Sequence, residues 1–501
     1  MSRGPQTVVV VSAVLLMDRC WGTAPKVEVD GGTPPPCADA GSLRDADIEV
    51  LASEGFIGFE VAVADVNGDG LHDFLQSNGG NHVPQPITIH LNDNTSELVA
   101  HYPSWYSDTF QHYGIFAVGD VFGSGAPEII APVVMPRSRD DGGWLDVFFN
   151  DGGAMQSTPT SYALARPMAP FAAALGDLNG DARLDVVVVG ADVGSLMDNP
   201  TDGDVNVFLN LGNRFAAARL LAENVGGVTV RIADVDADGW SDVLVGGKHV
   251  TLFRGGLNAF EGAQLPRLGT QLPGDFCAVF GLEVIRLRPT DRGLALLVVD
   301  NDRGDICKGK GLWVYPPGDD GGFGDAVHLR NLNNGGRIVT ADWSGDGIAD
   351  VAVTQLGEKE QGDGALFLEG TVAGFIRSTE TEPLPLLSLA MGHLDSAMRG
   401  IDTVCLDVDA GGVVYLPDRN VVAIEVVRVD GADARFAWVP GTTWVATPHD
   451  GGAHRVHIEY RRSQHISVVM SSSDARFGPF VYTSSAAFKR STEPKKGCNA
   501  N

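Results

Sequence analysis

The sequence predicts an all-β chain of seven repeated units, and three observations carry that expectation. A short acidic loop between two apolar runs recurs at near-constant spacing. The runs are short and rich in Val, Leu and Phe, bounded by Gly, Asp and Asn, as strands are. Within the repeats no amphipathic run of helical period reaches ten residues.

The first copy is ADVNGDGLHDFL, residues 64–75, with Asp65, Asn67, Asp69 and Asp73 at loop positions 1, 3, 5 and 9 and Gly70 at position 6. The others are FAVGDVFGSGAPEIIAPV from Phe116, FAAALGDLNGDARLDVVVVG from Phe171, VRIADVDADGWSDVLVGG from Val230 and RIVTADWSGDGIADVAVTQ from Arg337. Two weaker copies are VIRLRPTDRGLALLVV from Val284 and LAMGHLDSAMRGIDTVCL from Leu389. Position 1 falls on Asp65, Asp120, Asp177, Asp234, Arg288, Asp342 and His393, in steps of 55, 57, 57, 54, 54 and 51 residues. Spacing this even marks a structural period rather than scattered acidic turns.

Downstream of the loops a strand ends in a Gly-containing turn and often Phe, as in VNVFLNLGNRF (205–215), VTLFRGGLNAF (250–260), LWVYPPGDDGGF (312–323) and ALFLEGTVAGF (365–375). A unit of about 55 residues holds four strands of ordinary length with their turns. One such sheet alone would expose both faces, whereas radial packing buries each face on its neighbour and leaves only short edges. The expected fold is therefore a seven-bladed β-propeller of four-stranded blades over residues 48–415. Residues 416–501 are expected to close the seventh blade and to add a β-rich extension and a polar tail, the extension being either a degenerate eighth blade or a small β-appendage.

The pattern D-x-[DN]-x-D-G-x-x-D, followed by an apolar strand and then LNxGxxF, resembles the FG-GAP/VCBS repeat family, which also builds the integrin alpha-subunit propeller. The resemblance spans about residues 48 to 415. It implies calcium held by the side chains at positions 1, 3, 5 and 9 and the backbone carbonyl at position 7.

The residues grade the copies on their own terms, because calcium takes six to eight hard oxygen ligands around a sharp turn. Loop one (Asp65, Asn67, Asp69, Asp73, with Leu71 at position 7) and loop four (Asp234, Asp236, Asp238, Asp242, with Trp240) carry full sets and the glycine. Loop six (Asp342, Ser344, Asp346, Asp350, with Ile348) has one weaker oxygen. Loop three (Asp177, Asn179, Asp181, Asp185, with Arg183) puts Ala182 where glycine belongs, which predicts backbone strain. Loop two has Phe122 at position 3 and Glu128 at position 9, and no strong site is expected there. The fifth copy opens with Arg288, and the seventh, with His393, needs one inserted residue to bring Asp402 into register. Three to four structural calcium ions follow. The rival account is an Asx turn whose carboxylates serve only backbone amides. Either way the role is structural, since a cage closed by protein oxygens offers substrate no open position.

A formal charge of −28 excludes a nucleic-acid partner, which needs clustered Lys and Arg. At the N-terminus, Arg3 precedes an apolar run from Thr7 to Met17, the length of a signal-peptide core and too short to span a bilayer. Residues 1–20 thus read as an export signal and 21–47 as a Pro/Gly/Ala-rich tether. Cys20 stands where a bacterial lipoprotein carries its lipid, although Asp18 and Arg19 replace the small residues that normally precede it. A lipid anchor at Cys20 and plain secretion or periplasmic residence both stay open. No later segment is long and apolar enough for a transmembrane helix. Cys277 with Cys307 and Cys37 with Cys498 are plausible bridges, while Cys405, in the apolar run DTVCLDV, is expected as a buried thiol.

No GxSxG, HExxH, phosphate-cradling or CxxC motif is present. The leading expectation is a non-catalytic, monomeric, exported scaffold for a protein or carbohydrate ligand. The aromatics Trp105, Tyr106 and Tyr113 either serve that ligand or pack between blades. His449, His454 and His457 with Tyr460 read as residues of an exposed strand. The rival is a polysaccharide lyase, glycosidase or lectin, marked by acidic residues outside the loops that converge with Arg or His at the centre.

Overall fold

A computed structural model describes residues 48–50, 57–79, 87–91, 96–98, 113–133, 143–152, 154–191, 203–260, 269–274, 276, 278–286, 293–301, 311–318, 322–332, 335–343, 348–355, 364–371, 374–380, 386–392, 398–408, 412–417, 421–449, 452–463, 467–472 and 480–483. Strands form wherever Val, Leu, Ile and Phe runs meet Gly, Asp or Asn punctuation, and no helix occurs among the described residues.

Six antiparallel sheets of four strands follow one another, each a meander in chain order. Their first strands are Ile57–Ala64, Ala117–Gly119, Ala169–Gly176, Thr229–Ala233, Val279–Ile285 and Gly335–Ala341. The seventh sheet is built differently: its order is Ile48–Val50, Phe480–Thr483, Ser467–Ser472, Leu386–Gly392. Ile48 pairs with Tyr482, so the two ends of the chain share one sheet. Each first strand touches the first strands of the sheets before and after it, and the series returns from Leu386–Gly392 to Ile57–Ala64.

Burial explains why the second strands are apolar without alternation. Glu128–Pro132, Asp185–Ala191, Asp242–Gly246, Ala295–Asp300 and Asp350–Gln355 are buried at every residue, as strands covered on both faces must be. The covering side chains come from the neighbouring sheets. Ile87 and Ile89 of sheet one meet Ile129 and Phe148 of sheet two, and Val187 and Val207 of sheet three meet Val243 and Val245 of sheet four. Where first strands converge, bulk is excluded: a Cβ on Gly176 would lie 2.4 Å from Cγ2 of Ile232 in the next sheet. Ion pairs also link first strands. Arg337 donates to Glu60 at 3.0 Å, joining sheets six and one, and Arg231 lies 3.3 Å from Glu283, joining sheets four and five.

The seventh repeat departs from the sequence reading. LAMGHLDSAMRGIDTVCL was expected to supply two paired strands of one unit around an acidic loop. Instead Leu386–Gly392 pairs with Ser467–Ser472, and Met398–Val408 pairs with His454–Ser463. Residues 398–463 form an inserted module: one sheet ordered Met398–Val408, His454–Ser463, Val421–Val429, Ala432–Asp433, and a two-stranded sheet of Val413–Tyr415 with Trp444–Ala446. Val414, Val421, Val427, Val445, Val456, Ile458 and Tyr460 give it a core of its own. The β-rich appendage is therefore an insertion between the first and second strands of sheet seven, not a C-terminal extension. Asp402 is no loop ligand, since it lies on a strand and accepts from Arg462. Cys405 is not a free thiol: it is half-buried and disulfide-bonded. The other five cysteines, the leader, the tether, Trp105, Tyr106, Arg288 and His393 fall outside the described residues.

A repeated asparagine staples adjacent sheets. Asn150 Nδ2, at the end of the third strand of sheet two, donates to Val66 O of sheet one at 2.8 Å and to Pro127 O of its own sheet at 3.2 Å. Asn210 Nδ2 repeats the arrangement one sheet on, to Val121 O at 2.6 Å and Leu184 O at 3.1 Å. Both asparagines are buried, so truncation strands two carbonyls away from water. Asn210→Ala is expected to lower unfolding stability by about 2 kcal/mol in urea titration. A loss under about 0.5 kcal/mol, the scale of an ordinary surface substitution, would show that the staple does not bear on stability.

Candidate metal centre

The acidic loops connect first to second strands, and their backbone follows one plan. Positions 4 and 6 take left-handed φ in each of loops one to four: Gly68 and Gly70 (75° and 86°), Gly123 and Gly125 (72° and 83°), Gly180 and Ala182 (79° and 58°), Ala237 and Gly239 (60° and 86°). The strain expected at Ala182 is present, and Ala237 shares it. This winding turns the amides of positions 5 and 6 onto the position 1 carboxylate. Asp69 N and Gly70 N donate to Asp65 at 3.2 and 2.8 Å, and Asp238 N and Gly239 N to Asp234 at 3.1 and 2.8 Å. Asp181 N and Ala182 N donate to Asp177 at 3.2 and 2.8 Å.

Position 9 closes the turn from the other side. Its carboxylate accepts the position 2 amide: Val66 N to Asp73 at 3.0 Å, Val121 N to Glu128 at 2.8 Å, Leu178 N to Asp185 at 2.9 Å, Val235 N to Asp242 at 3.0 Å. Its second oxygen reaches the end of the third strand, taking Asn210 N at 2.7 Å on Asp185, Gly255 N at 2.6 Å on Asp242 and Gly370 N at 2.8 Å on Asp350. Position 7 amides serve position 5: Leu71 N, Arg183 N and Trp240 N donate to Asp69, Asp181 and Asp238 at 2.8, 3.0 and 2.9 Å. Loop two, with Phe122 at position 3, makes the same turn around Asp120, so the turn by itself does not mark a metal.

Loop four differs. Carboxylate oxygens of Asp234, Asp236 and Asp242 lie within 4.8 Å of one another, the one such trio of His, Cys, Asp or Glu among the described residues. Oxygens sharing a single calcium ion lie at most roughly 5 Å apart, so the donor set fits such an ion in chemistry and span. Burial pushes Asp234 up to about 8, aided by its acidic neighbours against the Gly239 amide, and pushes Asp242 up to about 7. Loop three is also desolvated, with Asp177 raised to about 6, but Asn179 stands at position 3 and Arg183 Nη1 binds Asp181 at 2.5 Å. In loop one, Asn67 Nδ2 donates to Asp69 at 2.8 Å. In loop six, Asp342, Ile348 and Asp350 are buried, while Ser344 and Asp346 lie outside the described residues.

Two contributors to loop four escaped the sequence reading. Arg254, at the end of the third strand of sheet four, donates to Asp236 and stands 3.6 Å from Asp242 Oδ2. Its signal was an arginine in VTLFRGG where VNVFLNL has Leu209. The inserted module is the other. Gly412 N and Val413 N donate to Gly239 O at 2.8 and 3.1 Å, Tyr415 Oη donates to Asp234 O at 3.1 Å, and His449 N donates to Gly180 O of loop three at 3.3 Å. Trp240 lies between, its ring 5.4 Å from that of His449. No local sequence pattern announces such long-range docking.

The other candidates serve structural contacts, with the rings of His449 and His454 lying edge to face at 6.1 Å. Tyr113 is buried, donates to Asp146 at 3.1 Å and packs edge-on to Phe148, so it serves the core. His454 pairs with Asp430 at 2.8 Å and His457 with Glu459 at 3.0 Å, and Tyr460 is fully buried.

No family model matches the chain, and no curated protein matches it. Among solved structures it is similar to the rhamnogalacturonan lyase YesW, at 14% identity and TM-score 0.41, over 95% of this chain and 76% of that chain. A Bacillus licheniformis rhamnogalacturonan lyase follows at 16% and 0.39, over 89% and 73%. The V. cholerae biofilm matrix protein Bap1 stands at 14% and 0.36, over 87% and 73%. Likenesses this distant assign neither family nor activity.

Two measurements test the loop chemistry. Ala237 is exposed, so Ala237→Gly relieves left-handed strain at no packing cost and is expected to stabilise by about 0.5 kcal/mol. Ala182→Gly also removes a buried methyl and should be near neutral in the same denaturation assay. Glu128 is pushed from 4.5 up to about 7, chiefly by burial. The folded state therefore favours its protonated form: the stability it contributes is full below pH 4.5 and is lost as pH rises through 7. Relative to wild type, Glu128→Gln should gain roughly 2 kcal/mol between those limits. Parallel stability curves for the two proteins would refute the assignment.

Proposed function

We propose that this protein is an exported, calcium-stabilised seven-bladed β-propeller of FG-GAP/VCBS type, a non-catalytic scaffold that binds a carbohydrate or protein ligand at the cell surface. The observation that carries the reading is the loop-four trio, three hard anionic donors converging in one turn. Asp234, Asp236, Asp238 and Asp242 would hold it there, and the matching residues of loops one, three and six would hold up to three more. The bound ion supplies charge neutralisation between two strands, not Lewis acidity.

The cyclic contacts of seven first strands and the sheet shared by both chain ends support a closed ring of blades. The structural role of the loops is supported by the position 9 oxygens, which are spent on main-chain amides. The acidic residues of the first strands likewise engage one arginine each, Glu60 with Arg337 and Glu283 with Arg231, which suits bracing between sheets. Export is read from the apolar run before Cys20. The mass of the mature N-terminus distinguishes a lipid anchor from plain secretion.

Thermal melting tests the metal. Calcium is expected to raise Tm by roughly 5–10 °C over the chelated protein, and Asp65→Asn with Asp234→Asn to remove part of the gain. Indifference to chelator would reject calcium. A glycan array run beside a polysaccharide-depolymerisation screen tests the scaffold: retention without turnover is expected, and any turnover abolished by Glu60→Gln or Glu283→Gln would make the protein an enzyme.

A further inference from the structure

We infer that Arg254 is a built-in counter-cation of loop four, which holds the acidic trio together without metal and competes with a divalent ion for the same oxygens. The inference rests on the calcium reading above and concerns what this chain adds to it.

The placement of the guanidinium is fixed by the backbone. Asp242 Oδ1 accepts Gly255 N at 2.6 Å, which pins the residue after Arg254 to position 9 of the loop. From there Arg254 Nη1 donates to Asp236 Oδ2 and lies 3.6 Å from Asp242 Oδ2, so one nitrogen faces two of the three carboxylates. Strand register shows that this is no feature of the repeat. Phe253, Phe208 and Phe148 pair with Val243, Val186 and Ile129, which makes Leu209 and Phe149 the counterparts of Arg254. By the same register Leu91, Pro316 and Glu369 take its place in sheets one, five and six.

A single positive charge cannot neutralise three carboxylates, and a guanidinium cannot share their oxygens with a divalent ion at bonding distance. The two cations therefore compete wherever they claim the same oxygen, Asp236 Oδ2 first. Arg254 has somewhere to go: its side chain is 34% exposed, and its long stem allows the head to swing into water while the strand stays put. Loop three lacks this arrangement, because Arg183 reaches only the position 5 carboxylate of Asp181. Loops one and four, equal in ligand count, therefore differ: loop four keeps its shape without calcium and loads at higher concentration.

Terbium, which prefers hard oxygen sites, reports on loop four because Trp240 at position 7 can sensitise its emission. The full-length mature protein, Arg254→Gln and Arg254→Lys are titrated with terbium, each beside a Trp240→Phe control that isolates the loop-four signal. Arg254→Gln is expected to bind at least tenfold more tightly, and Arg254→Lys, which keeps the charge but loses the fork, to fall between. In chelator Arg254→Gln should melt below wild type, and saturating calcium should close the gap; a variant that folds only with calcium gives the same result. Equal terbium affinity in wild type and Arg254→Gln overturns the competition while leaving calcium at loop four. A Trp240-dependent signal absent from every variant overturns the loop-four ion itself.

Discussion

The architecture depends on a buried carboxylate at the first residue of the second strand in sheets one to four and in sheet six. Asp73, Glu128, Asp185 and Asp242 reach back across the turn to the position 2 amide, and Asp185, Asp242 and Asp350 also hold the end of the third strand. Three strands of a sheet thereby meet at one side chain. A carboxylate so desolvated is tolerated only where several donors face it, and backbone amides cannot be displaced as side chains can. Loop two shows the priority of this role: without an oxygen at position 3, it keeps Glu128 as the latch. The acidic period in the sequence is a folding device in its own right.

Much of this was legible because it is local. The strands, their order within six sheets, the loop positions and the strain at Ala182 all follow from patterns a few residues long. The seventh sheet was not legible, because its pairings join Ile48 to Tyr482 and Leu389 to Met470, across most of the chain in one case and across an inserted module in the other. The acids of LAMGHLDSAMRGIDTVCL suggested a loop, yet Asp402 lies in a strand and is spent on Arg462. Arg254 was overlooked for a related reason. It follows position 1 of loop four by 20 residues and meets the acids only through the third strand.

The insertion occupies the connection between first and second strands, the same place the acidic loops occupy in the other sheets. That choice explains where it docks. The turns of loops one, three and four present groups to one end of the sheets, and the module meets them mainly through main chain: Gly239 O and Gly180 O accept from Gly412, Val413 and His449, while Val422 O lies 3.3 Å from His72 Nε2. Contacts of this kind demand a wound turn and little of its side chains, so the repeat plan itself created the docking surface.

Docking and charge meet in the same turn. Asp234 and Asp242 are buried, and desolvation is the leading cause of their raised affinity for protons. Three carboxylates that a turn in water tolerates are costly in a desolvated one, which favours protonation or a counter-charge close by. Arg254 is such a charge within the chain, and a divalent ion would be a stronger one from outside it. Loop four thus joins the inserted module to the repeat: Gly412, Val413 and Tyr415 meet the main chain of the same turn whose acids face Arg254.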